Sequence, residues 1–489
     1  MRFQLALVLL LATRALAQTT ASLEGVVHAN DHPLPGVTVT VTSPALQGSR
    51  VTITGDGGRY SFAALPPGPY LIRFSFANAT PISKKAELQL SQTTRVDATL
   101  YLTAIIDTIT VAGDIPSPVH TQEIATTLTG ADVERLPHQR NQLAVAQLMP
   151  GVNANTLSNG QLQIAGGPGY DNLVLVNGVV VTENRRSQMR PMYVEDAIVE
   201  TSVLTGAVSA EYGRFTGGVV NTITKSGGEA WSGSLRDSLS NPSWSATSPA
   251  NEAREDHLNH VLEATLGGSL VAERLWFFTS ARWARNDTAR QTIAVPGNPP
   301  SPQLSYSESN DQQRYEAKLT GRVHDAHTVA ASWFGIATKT KNSRFANNIY
   351  DAASLTSRDE PESLLALRYD GQLAQTVFVE AQLSRRTMSL SSGAFTRELI
   401  GGTVLLDRAN GNARFGAPSL CAICEDERRD NDDVLAKAHW FVDGTRGTHD
   451  IVIGADRFRE RHFLEDHQSG SGFAVFVTRA QYANGTIQP

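Results

Sequence analysis

The chain has 489 residues, too many for one ordinary domain. Its net charge of −6 and pI of about 6.1 exclude a broad basic field for nucleic acid. Charged residues make up only 18%, mean hydropathy is −0.21, and after residue 12 no apolar run approaches the roughly 20 residues of a spanning helix, so a membrane crossing would have to use strands.

Residues 1–17 read as an export signal. Arg2 gives a positive start, residues 5–12 are apolar, and Ala15-Leu16-Ala17 has the small-x-small form of a cleavage site. A short membrane anchor is the alternative, but eight apolar residues do not span a bilayer. No Cys follows the site, which argues against a lipoprotein, and export implies an oxidising compartment. Residues 18–102 then predict a small β-sandwich. Strands are expected at 23–27, 37–42, 51–54, 60–62 and 69–76, separated by turns rich in Pro and Gly.

Residues 103–113 form a linker. Within it Asp107, Thr108, Ile109, Thr110, Val111 and Ala112 favour extended backbone, and Pro116 and Pro118 discourage a helix or an inner strand just beyond. The segment suits pairing with a sheet edge; the alternative is the last strand or linker of the sandwich. Residues 114–228 predict a mixed α+β unit. A short helix is expected at 141–149, stopped by Pro150-Gly151. Strands at 173–176 and 179–181 flank Asn177-Gly178, a strong hairpin signal. Further strands are expected at 199–204 and 219–224. Gly217-Gly218 and Gly227-Gly228 bracket the last of them and allow close backbone approach.

From residue 229 onward alternation dominates. Leu262, Ala264 and Leu266 alternate with Glu263 and Thr265; Tyr315, Ala317 and Leu319 alternate with Glu316, Lys318 and Thr320. Val379, Ala381 and Leu383 alternate with Glu380 and Gln382, and Val434, Ala436, Ala438 and Trp440 with Lys437 and His439. This period of two suits a barrel with one oily and one wet face, or a soluble sandwich. Nine strands are expected near 229–239, 258–270, 274–286, 314–323, 327–338, 363–371, 376–388, 433–443 and 449–460. Tight turns alternate with long polar loops at 287–313, 339–362 and 389–432, which favours the barrel. Trp276, Phe277, Phe278 and Trp283 are expected in an aromatic girdle.

Three groups of motifs carry a family resemblance. Tyr212-Gly213-Arg214-Phe215, Gly217-Gly218-Val219-Val220-Asn221 and Thr224-Lys225-Ser226-Gly227-Gly228 resemble the end of the plug domain in TonB-dependent outer-membrane receptors, above all the Oar-like group. Asn177 stands where that family more often has Asp. Pro33-Leu34-Pro35-Gly36-Val37, Gly58-Arg59-Tyr60-Ser61-Phe62 and Leu65-Pro66-Pro67-Gly68-Pro69-Tyr70 resemble the carboxypeptidase regulatory-like domain, a transthyretin-like sandwich without catalytic residues. The stretch Asp107 to Ala112 resembles the TonB box.

The resemblance implies a mainly β chain: transthyretin-like sandwich, plug, then an incomplete antiparallel outer-membrane barrel over 229–489. It implies uptake of a large solute, such as a saccharide, peptide or metal chelate, driven by periplasmic TonB, in the outer membrane of a Gram-negative bacterium. The implied partners are therefore TonB, outer-membrane lipid and a solute, without nucleic acid. The alternative class is a surface adhesion or structural protein. Nine strands fall short of the roughly 22 of plugged transporters, which predicts an N-terminal portion of a longer receptor; an eight- or ten-stranded barrel hardly holds a plug of about 115 residues.

No cofactor and no catalysis are expected. No G-x-S-x-G, H-E-x-x-H or P-loop occurs. Cys421 and Cys424 lie in a polar loop and are read as a loop disulfide, with metal binding, redox activity and free thiols as alternatives. His462, Glu465, Asp466 and His467 are read as a solvated loop rather than a metal site.

Overall fold

The computed structural model describes residues 20–100, 124–244 and 256–489, apart from 30–31, 56, 78, 91, 137–139, 155–160, 183–190, 210, 325, 345–347, 394–395, 419–426, 445–446 and 465–466. The export signal, the segment Asp107 to Ala112, both cysteines, Glu465 and Asp466 lie outside the described residues.

The N-terminal unit packs two sheets face to face. One is built on the strand Ala21–Ala29, paired with His32–Pro33 and Arg59–Leu65 and, in parallel, with Thr93–Arg95 and Ala98–Thr99. The other runs in the order Ser49–Ile53, Thr38–Thr42, Gly68–Ser75, Ile82–Leu88. Alternation decides which side chains meet between them: Tyr70, Ile72 and Phe74 point inward from one strand and join Leu23, Val39, Val41 and Phe62 in a continuous core. The strands from residue 82 onward carry too many polar residues to be read from sequence alone.

The middle unit holds a five-stranded sheet in the order Ile124–Thr129, Ile198–Gly206, Val219–Thr224, Leu173–Val176, Val179–Val180. Asn177 and Gly178 both take positive φ, as a two-residue hairpin requires. The expected helix is shorter than read, Gln142–Ala146, with Asn141 as its cap accepting from the Ala144 N–H at 2.9 Å. A second helix, Gly130–Arg135, was not expected; Thr129 and Asp132 form its capping box. The glycine pairs work as close contacts. A Cβ on Gly218 would fall 2.2 Å from Ile164 Cγ2, and one on Gly227 would fall 2.2 Å from the Phe277 carbonyl oxygen.

The last unit is one sheet of nine antiparallel strands, each hydrogen-bonded to the next in sequence: Ser232–Ser240, Asn259–Val271, Leu275–Gln291, Ser305–His324, His327–Ser343, Thr356–Ala374, Val377–Gly393, Glu427–Gly444 and Gly447–Phe463. All nine expected strands are present. Most run several residues further toward the long loops, because ladder bonds need only backbone and continue after side-chain alternation fades. No pairing joins the first strand to the ninth among the described residues.

The two faces of this wall invert the usual rule. Leu319, Leu365, Leu383, Trp440 and Ile453 are exposed on one face, while Glu263, Glu316, Lys318, Glu380 and Lys437 are buried on the other. Such a surface suits lipid outside and a polar interior, the wall of an outer-membrane barrel. The aromatic girdle needs correction. Trp276 and Phe278 are buried on the inner face, because their register places them opposite to Phe277; Phe278 packs on Val194 and Ala197 of the middle unit. The outward aromatics of the four are Phe277, edge-on to Trp231, and Trp283, edge-on to Tyr315.

The long loops are also more ordered than their polarity suggests. Val404–Asp407 pairs with Ala413–Phe415 and, in parallel, with Ala474–Val477. Val295, Tyr350, Ala413, Phe415, Val477 and Ala480 make a small core of their own. Asp407 anchors it, accepting from the Tyr350 hydroxyl at 2.7 Å and the Ala409 N–H at 2.9 Å. The stretch near the last residue folds as a ribbon, Gln481–Ala483 with Thr486–Gln488.

Candidate functional site: the charged seat between plug and wall

The nine strands curl around the middle unit, and each of them contributes a side chain to it. The first sends Arg236 to Asp196 at 2.8 Å, and the second sends Glu263 to Arg140. The third and fourth send Arg282 and Arg314 to Glu195, at 3.2 and 3.0 Å. Phe334 and Ile336 of the fifth and Leu364 and Ala366 of the sixth complete a core with Val174, Val176, Val179, Met192 and Tyr193. Gln382 of the seventh donates to the Gly178 carbonyl at 3.3 Å. Lys437 of the eighth lies 3.5 Å from Glu211, and Asp456 of the ninth pairs with Arg214 at 2.9 Å.

Glu195 and Asp196 sit side by side because a single 3-10 turn, Glu195–Ala197, precedes the strand Ile198–Gly206. That turn aims two carboxylates at four guanidinium groups. Arg140 bridges Asp196 and Glu263, joining the middle unit to the wall. Burial alone would push both carboxyls up. Arg314 and Arg282 outweigh it at Glu195, and Arg140 and Arg236 at Asp196, so both stay below the usual carboxylate range. Arg314 also donates to the Tyr193 carbonyl at 3.1 Å, and the Tyr193 hydroxyl accepts from the Gln142 N–H at 2.7 Å.

A second tie sits at the strand Val219–Thr224 of the middle unit. Lys318 Nζ donates to the Thr224 hydroxyl at 2.9 Å and to the Lys225 carbonyl at 2.9 Å; Thr224 donates to Glu316 at 2.5 Å. Asn177 closes the same corner, accepting from the Thr224 N–H at 2.9 Å and donating to its hydroxyl at 2.9 Å. An amide both donates and accepts, so Asn at this position leaves the Thr224 hydroxyl proton to Glu316, whereas a carboxylate could only accept and would compete for it. Arg214, within one of the quoted motifs, also lies over the Phe458 ring at 4.2 Å.

This arrangement holds a folded body inside a wall by paired charges and a few separate apolar contacts, the largest of them shared with Phe334, Ile336, Leu364 and Ala366. Such pairs contribute little net stability over an apolar seat, but each is expensive to break singly. The chemistry is therefore that of a seat with discrete ties, not of a reaction centre. His462, read from sequence as part of a solvated loop, ends the ninth strand with its Nε2 2.9 Å from Glu427. Sequence reasoning missed Arg140, Glu195, Asp196, Arg282 and Arg314. Glu316, Lys318 and Glu380 were seen only as members of a wet face. Lone charges embedded in β-rich stretches were the signal available.

Comparison with known proteins agrees with this geometry. Residues 22–101 match the carboxypeptidase regulatory-like domain, and residues 117–220 match the TonB-dependent receptor plug domain. The order of the two matched domains, followed by the nine-stranded wall, resembles that of TonB-dependent receptors. It is 27% identical over 382 residues to the TonB-dependent transporter Oar of Myxococcus xanthus, covering 68% of this chain and 35% of that protein. It is 30% identical over 166 residues to the ferrienterobactin receptor of Escherichia coli, covering 30% of this chain and 21% of that one. Among solved structures, the outer membrane transporter YddB of Escherichia coli superposes with a TM-score of 0.52 at 16% identity, over 68% of this chain and 48% of that one. A mutant of the ferric enterobactin receptor of Pseudomonas aeruginosa does so at 0.50 and 16% identity, over 69% and 48%. The chain thus spans about a third or less of the curated relatives and about half of these solved chains. The curated relatives are a transporter and a receptor, in agreement with the expectation that the chain is not an enzyme.

Proposed function

We propose that this receptor chain serves the energy-coupled uptake of a large solute across the outer membrane, with residues 124–228 as the movable stopper. The observation that carries the reading is the seat itself: a folded plug tied by discrete ion pairs and a shared apolar patch to a wall that is apolar outside and polar inside. Discrete ties let a pull on one end release the plug stepwise, whereas a continuous apolar seat would resist until it failed as a whole. TonB would grip Asp107, Thr108, Ile109, Thr110, Val111 and Ala112 by strand addition. The folded outer loops, with Phe473 and Phe476 exposed and Arg408 over the Phe476 ring at 4.8 Å, would meet the solute first. A saccharide, a peptide or a metal chelate fits; two of the relatives named above carry ferric enterobactin in their names. Deleting residues 107–112 in cells tests the coupling. Uptake of the cognate solute should be abolished while surface binding persists, and unchanged uptake would remove TonB from the account.

A further inference from the structure

The sandwich of residues 20–100 does not hang free of the rest. Its contacts gather at one end of the barrel, the end of the tight turns. Ala63 is fully buried, yet it belongs to no sandwich core; it packs with Phe378 and Phe441, which flank the turn ends of the seventh and eighth strands. Gln47 donates to the Gly227 carbonyl at 3.2 Å, where plug passes into wall. Gly48 lies so close to the end of the fourth strand that a Cβ there would fall 2.5 Å from Arg322 Nη1. The Thr20 hydroxyl reaches Glu380 at 3.5 Å. A small cavity between the two bodies is lined by Tyr60 and Arg95 on one side and Gln375, Thr376 and Phe441 on the other.

The contact with the plug is the most informative. Leu90 is fully buried but lies outside the sandwich's own core, and its N–H donates at 3.0 Å to the carboxyl of Glu200. Glu200 is itself buried, on the strand Ile198–Gly206 that sits inside the plug sheet and follows directly from the Glu195–Asp196 turn. The sandwich therefore rests on wall and plug together, and on the plug element that carries the charged seat.

We propose that the sandwich is a latch on the periplasmic mouth: docked on the turn end of the barrel, it holds the plug strand Ile198–Gly206 in place and has to leave before the plug moves. The direction of the mouth and the need for movement rest on the uptake reading above; the docking and the restraint do not. The latch is tested by hydrogen exchange on the full chain in lipid, without TonB or solute, so that its failure is distinct from failure of that reading. Ala63→Glu places a charge between Phe378 and Phe441 while leaving the sandwich core untouched. Amides at 201–204 should then exchange at least tenfold faster, with those of Val39 and Phe74 still protected. Unchanged exchange at 201–204 would overturn the latch. Should Ala63→Glu unfold the sandwich instead, loss of the domain must still speed exchange at 201–204, and its failure to do so overturns the latch equally. A photo-crosslinker in place of Gln47 should capture the segment around Gly227 in the otherwise native chain; capture of nothing there would show that the sandwich does not dock.

Discussion

The sandwich and the plug are neighbours in sequence and both are built on small sheets, yet they are held together differently. The sandwich core runs from Ala21 to Leu100 and draws only on its own residues. The plug spreads its apolar residues over separate clusters. One of these is finished by Phe334, Ile336, Leu364 and Ala366 of the wall, and another packs against Phe458. Charges follow the same division. In the sandwich both members of the pair Arg95–Asp97, 3.1 Å apart, are partly exposed, while the carboxylates of Glu195 and Asp196 are buried and their ties cross to the wall. A domain with a closed core keeps its fold when it moves as a body. A domain that shares its core with its surroundings is stable only in its seat, and changes when it leaves.

The largest expected effect tests whether the plug core is shared. Phe334→Ala empties a fully buried position of the wall and should destabilise plug and wall together by about 3–5 kcal/mol. Phe74→Ala should cost a similar amount, about 3–5 kcal/mol, but confined to the sandwich. Region-resolved hydrogen exchange separates the two; plug amides indifferent to Phe334→Ala would show that the plug needs no wall.

Arg140→Ala leaves Glu263 and Asp196 short of a partner and should loosen the seat by about 3 kcal/mol at neutral pH. Because Asp196 is held below its ordinary range, its contribution is fully present above that range and is lost as pH falls below it, through the lowered value of the folded chain. The gap between native and Arg140→Ala chains in a denaturant titration should therefore narrow in acid. A gap that widens as the solution is acidified contradicts the pairing.

Glu200 behaves in the opposite sense. Burial first, then the nearby charge of Glu87, push its carboxyl up to about 7 against the pull of the Leu90 N–H. The folded chain then holds this proton more tightly than the unfolded one, so stability rises as pH falls from about 7 toward the ordinary carboxylate range. Glu200→Gln should flatten that slope in a melting series across the same window, and an unaltered slope would place the titration elsewhere.

The smallest effect is expected at Arg285, exposed beside Asp287 at 3.1 Å; Arg285→Ala should shift stability by less than about 1 kcal/mol. A larger loss would mean that exposed pairs on the wall matter as buried ones do, and would blur the distinction between the regions.

Much of the architecture was legible from local pattern. The alternation at 262–266, 315–320, 379–383 and 434–440 marked strands and their two faces, and Asn177-Gly178 marked its hairpin. The capped helix Gly130–Arg135 escaped because six residues show too little periodicity. The loop sheet escaped because its strands, Val404–Asp407 and Ala474–Val477, are too short and too far apart to announce themselves. Trp276 was placed on the wrong face since a run of three aromatics hides the period of two.

Strand positions, hairpins and the order of the three units were determined by the sequence itself, because each rests on neighbours a few residues apart. Only the tertiary structure decided which charge meets which: Arg140 with Glu263, Arg214 with Asp456, Leu90 with Glu200. Those partners lie over a hundred residues apart, and a charged side chain looks the same in sequence whether it will face water or be buried against its opposite. Pairing across a buried interface is settled by where folded bodies come to rest, and local pattern carries no record of that.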